Sequence, residues 1–204
     1  IEQQQSALRA LAHAQARDAV HLPFDAAALH AELSALGVTP LHVTSQAANR
    51  DSYLKRPDLG RLLSADSEKA LQDAAARQGA DPDVVFLIAD GLSSLAVARH
   101  AVPLLQATLP LLSGWSVGPV VLAEQARVAL GDEIGALLRA RQVVMLIGER
   151  PGLSSPDSLG LYLTWQPRVG RLDSERNCIS NVRPEGLSYQ DAARRSEEHT
   201  SELQ

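Results

Sequence analysis

Two short runs without a single polar side chain, Val84-Val85-Phe86-Leu87-Ile88-Ala89 and Val143-Val144-Met145-Leu146-Ile147, do most to limit what this chain can fold into. A strand with one wet face alternates apolar and polar residues, so a strand that is apolar throughout needs cover on both faces. Parallel sheets flanked by helices on either side supply that cover. The segments between the runs carry helical signals. Ser67 to Gln78 reads as a helix closed by Gly79, Ser93 to Leu109 as a helix interrupted near Pro103, and Gly131 to Ala140 as a third. Val117 to Ala123 is a further strand, Leu159 to Trp165 alternates more loosely as a fourth, and Leu187 to Arg194 begins a closing helix. The expected architecture is α/β: a Rossmann-like, doubly wound, mainly parallel sheet.

A small helical part precedes it. Leu8, Leu11 and Ala12 recur at helical spacing, as do Ala28, Leu29, Ala31, Leu33 and Leu36 after Phe24. Pro23 separates the two helices and Gly37 ends the second. Leu41 to Ser45 reads as a short strand. The expected divisions are a helical segment over 1–45, a sheet domain over 46–195 and a tail over 196–204. The opening at Ile1 and the polar Glu2 to Gln5 run read as an incomplete N-terminus. Ser196 to Gln204 breaks the helical periodicity, contains no Lys or Arg, and resembles translated sequencing-adapter read-through.

A chain of 204 residues, 45% of them hydrophobic, has material for one ordinary core. The net charge of −5 offers no electrostatic footprint for nucleic acid, and without the three glutamates of the tail it falls to −2. No apolar run approaches the ~20 residues of a membrane span. Cys178, the single cysteine, excludes an internal disulfide and fits a reducing cytosol.

In open α/β sheets ligands sit beyond the carboxyl ends of the strands, which directs attention to the residues after each apolar run. Asp90, followed by Gly91, is one candidate ligand acceptor. Helix capping by Asp90 or Ser93 is an equally good reading. Glu149 opens a long loop dense in turn formers, either accepting from amide donors or fixing the loop with Arg150. Cys178 lies in a polar stretch rather than an apolar one. As a nucleophile it would need a base, and none of His13, His21, His30, His42 and His100 is near it in sequence. The chain contains no G-x-G-x-x-G after a strand, no P-loop, no G-x-S-x-G, no H-E-x-x-H and no C-x-x-C, so a self-contained enzyme lacks its usual parts.

Several gap-spaced motifs nevertheless agree with one family. Tyr53-Leu54-Lys55-Arg56-Pro57-Asp58-Leu59-Gly60-Arg61, Ile88-Ala89-Asp90-Gly91-Leu92-Ser93, Gly148-Glu149-Arg150-Pro151-Gly152-Leu153, and Arg176-Asn177-Cys178-Ile179-Ser180-Asn181-Val182-Arg183-Pro184-Glu185-Gly186 resemble, in this order, the small (light) subunit of ethanolamine ammonia-lyase. The resemblance implies one component of an adenosylcobalamin-dependent lyase that converts ethanolamine to acetaldehyde and ammonia by radical chemistry. It also implies a large-subunit partner built on a TIM-type barrel, a hetero-oligomer that is inactive without that partner, and a cytoplasmic setting, with a bacterial microcompartment left undecided. Carried over by motif, the cobalamin contacts fall at Val128, Glu149 and Cys178. Two of them coincide with the strand-end candidates, whereas Val128 alone would read as ordinary core. The resemblance departs just before Arg127-Val128, where Gln125-Ala126 stands in place of glycine-containing sequence. An autonomous α/β enzyme with Cys178 as nucleophile is the alternative reading.

Overall fold

The computed structural model describes residues 20–152 and 155–202. Helices α1 (Ala26–Ala35), α2 (Arg50–Lys55), α3 (Ala65–Arg77), α4 (Ser94–Thr108), α5 (Leu130–Leu137) and α6 (Tyr189–Glu202) surround strands β1 (Leu41–Thr44), β2 (Val84–Ala89), β3 (Val117–Glu124), β4 (Gln142–Gly148), β5 (Leu159–Trp165) and β6 (Arg176–Val182). The first expected helix, over Leu8 to Ala12, lies outside the described residues.

The strands form one six-stranded sheet in the order β1-β3-β2-β4-β5-β6. The first four members of that row run parallel, and β5 and β6 extend it as antiparallel neighbours. The protein is therefore mixed α/β with a mostly parallel sheet. Strand β1, on the N-terminal side of the division expected near residue 45, pairs with β3 over its whole length.

Burial follows from the sequence of the central strands. Every residue of β2 and β4 is buried. Val84, Phe86 and Ile88 face α1, α4 and α6 through Leu29, Leu33, Val97, Leu104, Leu105, Ala192 and Ala193. Val85, Leu87 and Ala89 point to the opposite face, against Leu71 and Ala75 of α3 and Leu130 and Ile134 of α5. Alternation along a strand sends successive side chains to opposite faces, so an unbroken apolar run feeds two cores at once. Among the described residues no helix is long and apolar enough to cross a membrane.

Helix starts are set by short polar side chains that accept orphan amides. Asp25 accepts from Ala28 N, Asn49 from Ser52 N, Ser64 from Ser67 N and Ser93 from Ala96 N. Ser93 is thus the cap of α4, and Asp90 is free for another role.

In two places the structure differs from the sequence-based expectation, and in a third it assigns a conformation that the sequence left open. Helix α4 runs through Pro103 without interruption, because Val102, Leu104 and Leu105 are buried against the sheet and packing outweighs one lost backbone bond. The polar stretch at 176–182 is a strand. It lies at the sheet edge, burying Arg176, Ile179 and Val182 while the residues between them meet solvent at least in part, so its polarity marks exposure rather than a loop. Helix α6 continues past Arg195 to Glu202, with Ser196 buried alongside Ala192 and Ala193.

Candidate functional site

The order β3-β2-β4 puts three strand ends side by side, and the segments that follow them build one open cleft. Its volume is about 450 Å³, and its walls include Tyr53, Arg127, Val128, Ile147, Glu149 and Tyr162. Backbone forms the floor: Gly91 takes a left-handed φ of +54°, and Leu92 N donates to the Gly148 carbonyl at 2.8 Å.

Asp90, at the end of β2, is almost wholly buried. Its carboxylate accepts from the backbone amides of Gln125 and Ala126, each at 3.0 Å, and from Arg50 Nη1 at 3.1 Å. Burial pushes this carboxyl up to about 6, against the opposing pull of the Ala126 amide, the Arg50 charge and the Gln125 and Gly91 amides. Asp90 is therefore a latch between strand ends rather than the helix cap. The latch also accounts for Gln125, which adopts φ of +54° where glycine is favoured. Two amides held by one carboxylate fix the turn that a glycine would otherwise ease.

That turn delivers Arg127 and Val128 to the cleft. Arg127 N donates to the Gly60 carbonyl at 2.8 Å, and the Arg127 guanidinium lies 4.2 Å from the centre of the Tyr53 ring. The Arg50 guanidinium stands 4.8 Å from the same ring centre, and the Tyr53 hydroxyl donates to the Ala126 carbonyl at 3.0 Å. Burial first, and then the Asp90 charge, raise the Tyr53 phenol well above its ordinary value, partly opposed by Arg127 and Arg50. Tyr53 is consequently a neutral pillar on which the cation-bearing turn rests.

Glu149 is half-buried at the end of β4. Its Oε2 accepts from the Ser158 hydroxyl and from the Asn181 amide, the latter at 3.3 Å. The reading in which Arg150 fixes the loop receives no such contact among the described residues. Cys178 is exposed on β6, directly opposite Tyr162 of β5 in the strand register. Its sulfur lies 3.3 Å from the Ser180 hydroxyl. Burial, then a hydrogen bond and the charge of Cys178, then the Glu149 and Asp173 charges push the Tyr162 phenol up to about 12.

Val128 and Glu149 thus line one cleft with Tyr162, and Cys178 flanks that tyrosine from the next strand. A second cleft of about 350 Å³ shares Arg127, Val128 and Tyr162 with the first and adds Pro57, Arg61 and Asp173. Among the described residues no histidine is hydrogen-bonded to Cys178, so a thiol nucleophile has no base there. Sequence reasoning missed Tyr162 and the structural part of Tyr53. For Tyr162 a signal existed: it is the one polar-tipped aromatic inside the otherwise apolar Leu159 to Leu163 run.

The family model of the ethanolamine ammonia-lyase light chain (EutC) matches residues 2–204. The chain belongs to that family. It is similar to the ethanolamine ammonia-lyase small subunit of Ralstonia nicotianae, with 60% identity over 184 residues, 89% of this chain and 68% of that relative. The protein of the same description from Azotobacter vinelandii is also 60% identical over 184 residues, with the same coverage. The one from Pseudomonas fluorescens Pf-5 is 59% identical over 186 residues, 90% of this chain and 68% of that relative. The light-chain motifs, far apart in sequence, converge here. Tyr53 and Gly60 hold Arg127, Asp90 holds Gln125 and Ala126, and Asn181 reaches Glu149.

Proposed function

We propose that this chain is the small subunit of an adenosylcobalamin-dependent ethanolamine ammonia-lyase, in which Val128, Glu149 and Cys178 contact the cobalamin at a seam shared with the large, catalytic, TIM-type-barrel subunit. The observation that carries this reading is the common cleft of Val128 and Glu149, with Cys178 on the adjoining strand, in a chain of this family. We read the architecture around it as Rossmann-like, with 46–195 as the cofactor-facing unit. The assembled hetero-oligomer acts in the cytoplasm, and this chain alone is inactive.

The residues present fit such a ligand. A corrin is a broad apolar ring fringed by amides, and this cleft combines Val128 and Ile147 with an acceptor at Glu149 and donors at Arg127 and Arg150. Arg127 Nε is buried without a partner among the described residues, an unsatisfied donor beside the cleft. The bound cofactor supplies radical chemistry through homolysis of its cobalt–carbon bond. This chain's own residues need only bind, orient and exclude water. Glu149 accepts from an amide N–H, Val128 excludes water, and the glycine floor permits close approach. An open cleft encloses one side only, so a second protein must cover the other.

Co-expression tests this reading. A large subunit of the same type should gain cobalamin-dependent acetaldehyde production when this chain is supplied. Failure to restore it in a complex that does assemble would overturn the assignment.

A further inference from the structure

Glu149 is held in a way that its role as a simple acceptor does not require. Two donors from different elements meet on one of its carboxylate oxygens: the Ser158 hydroxyl, from the far end of the loop after β4, and the Asn181 amide, from the end of β6. Among the described residues none donates to the other oxygen, Oε1. Glu149 and Ser158 are tied a second time through backbone, Glu149 N donating to the Ser158 carbonyl at 2.9 Å.

Each donor is itself immobilised. Ser158 is buried, and its neighbour Asp157 accepts from Arg99 of α4 at 2.8 Å and lies 3.3 Å from His100 of the same helix. Asn181 sits at φ of +60° in β6, where the register with β5 shifts, its carbonyl accepting from Leu187 N at 2.8 Å. Beneath the carboxylate is Gly160, where a Cβ would come within 2.9 Å of Glu149 Oε1. The glutamate can lie over β5 only because that position has no side chain.

A free glutamate loses rotamer freedom when a ligand orders it. A glutamate already ordered does not, and that difference appears as affinity. We infer that Ser158 is the positioning residue of Glu149, clamping Oε2 together with the Asn181 amide so that Oε1 is presented to a ligand N–H donor. This rests on Glu149 being a cofactor contact.

The test uses the complex assembled with its large subunit, titrated with cyanocobalamin and followed by absorbance. Ser158→Ala should weaken binding about ten-fold, the scale of one charge-assisted hydrogen bond, whereas Ser158→Thr, which keeps the hydroxyl, should retain wild-type affinity. Gly160→Ala should reproduce the loss by displacing the glutamate's flexible end, and it remains informative if Ser158→Ala does not fold. In a Glu149→Ala background Ser158→Ala should add nothing. Wild-type affinity in Ser158→Ala, or a loss that persists when Glu149 is absent, overturns the inference while Glu149→Ala is still weakened. Wild-type affinity in Glu149→Ala overturns the contact itself and this inference with it.

Discussion

Arg176 and Asp132 meet fork to fork beneath the edge of the sheet, Nη1 to Oδ1 at 2.6 Å and Nη2 to Oδ2 at 2.8 Å. Both side chains are nearly inaccessible, at 1% and 3%. The pair fastens β6, which carries Cys178, to α5, whose first turn follows Val128. Arg176 Nη1 also donates to Thr164 at 2.9 Å and Nη2 to the Arg171 carbonyl at 3.1 Å, so both terminal nitrogens of the guanidinium are engaged.

Removing one partner leaves a charge buried with nothing to compensate it. Arg176→Met is expected to cost about 3–5 kcal/mol of stability, and replacing Asp132 by Leu at the same time should recover part of that loss. Urea unfolding of the single and double variants measures both. A single variant as stable as wild type would show that the pair carries no structural weight.

Glu149→Ala removes the one acidic side chain lining the first cleft among the described residues. Losing a desolvated acceptor costs on the order of 1–3 kcal/mol, which corresponds to cobalamin binding weaker by about five- to 150-fold in the assembled complex. A cofactor dissociation constant equal to that of wild type would contradict the proposed contact.

Gly148 lies where β4 meets the turn before α4. A Cβ there would fall on the Ser93 carbonyl oxygen and come within 2.6 Å of the Asp90 carbonyl oxygen, both of them backbone atoms that cannot rotate away. Gly148→Ala should therefore destabilise the fold by about 1–3 kcal/mol or more and lower the melting temperature. Gly160→Ala, whose three nearest neighbours are all atoms of the flexible Glu149 side chain, should melt close to wild type.

Acid should loosen the loop that carries Ser158. Burial acts to raise the Asp157 carboxyl, but hydrogen bonds and charge from Arg99 and His100 outweigh it and hold the group below its ordinary 3.8. A carboxyl lowered in the folded state contributes stability above its unfolded value, and that stability is lost as pH falls through the folded value. Below about pH 4 wild type should lose its margin over Asp157→Asn. Urea midpoints for the two proteins from pH 3 to pH 7 should converge at the acid end, and parallel curves would refute the linkage.

Much of the sheet is legible in the sequence because buried strands leave a local signature. Val84 to Ala89 and Val143 to Ile147 lie where expected, with β3 and β5 between and after them. Strand β6 is not legible, since an edge strand with one buried face shows only Arg176, Ile179 and Val182 as inward positions. Glu149 and Cys178 stand out by their place after a strand or in a polar stretch. Val128 does not, because an apolar residue ahead of a helix looks the same whether it meets core or cleft.

Local pattern alone determined the alternation of strands and helices and the family motifs, since each depends on neighbours a few residues away. Only the tertiary structure decided the strand order that brings the ends of β3, β2 and β4 together. It also assigned Asp90 to a latch and set Ser158 and Asn181 on Glu149. Those relations span 9 to 40 residues of chain. They arise from three-dimensional packing and burial, which residue spacing along the chain does not encode.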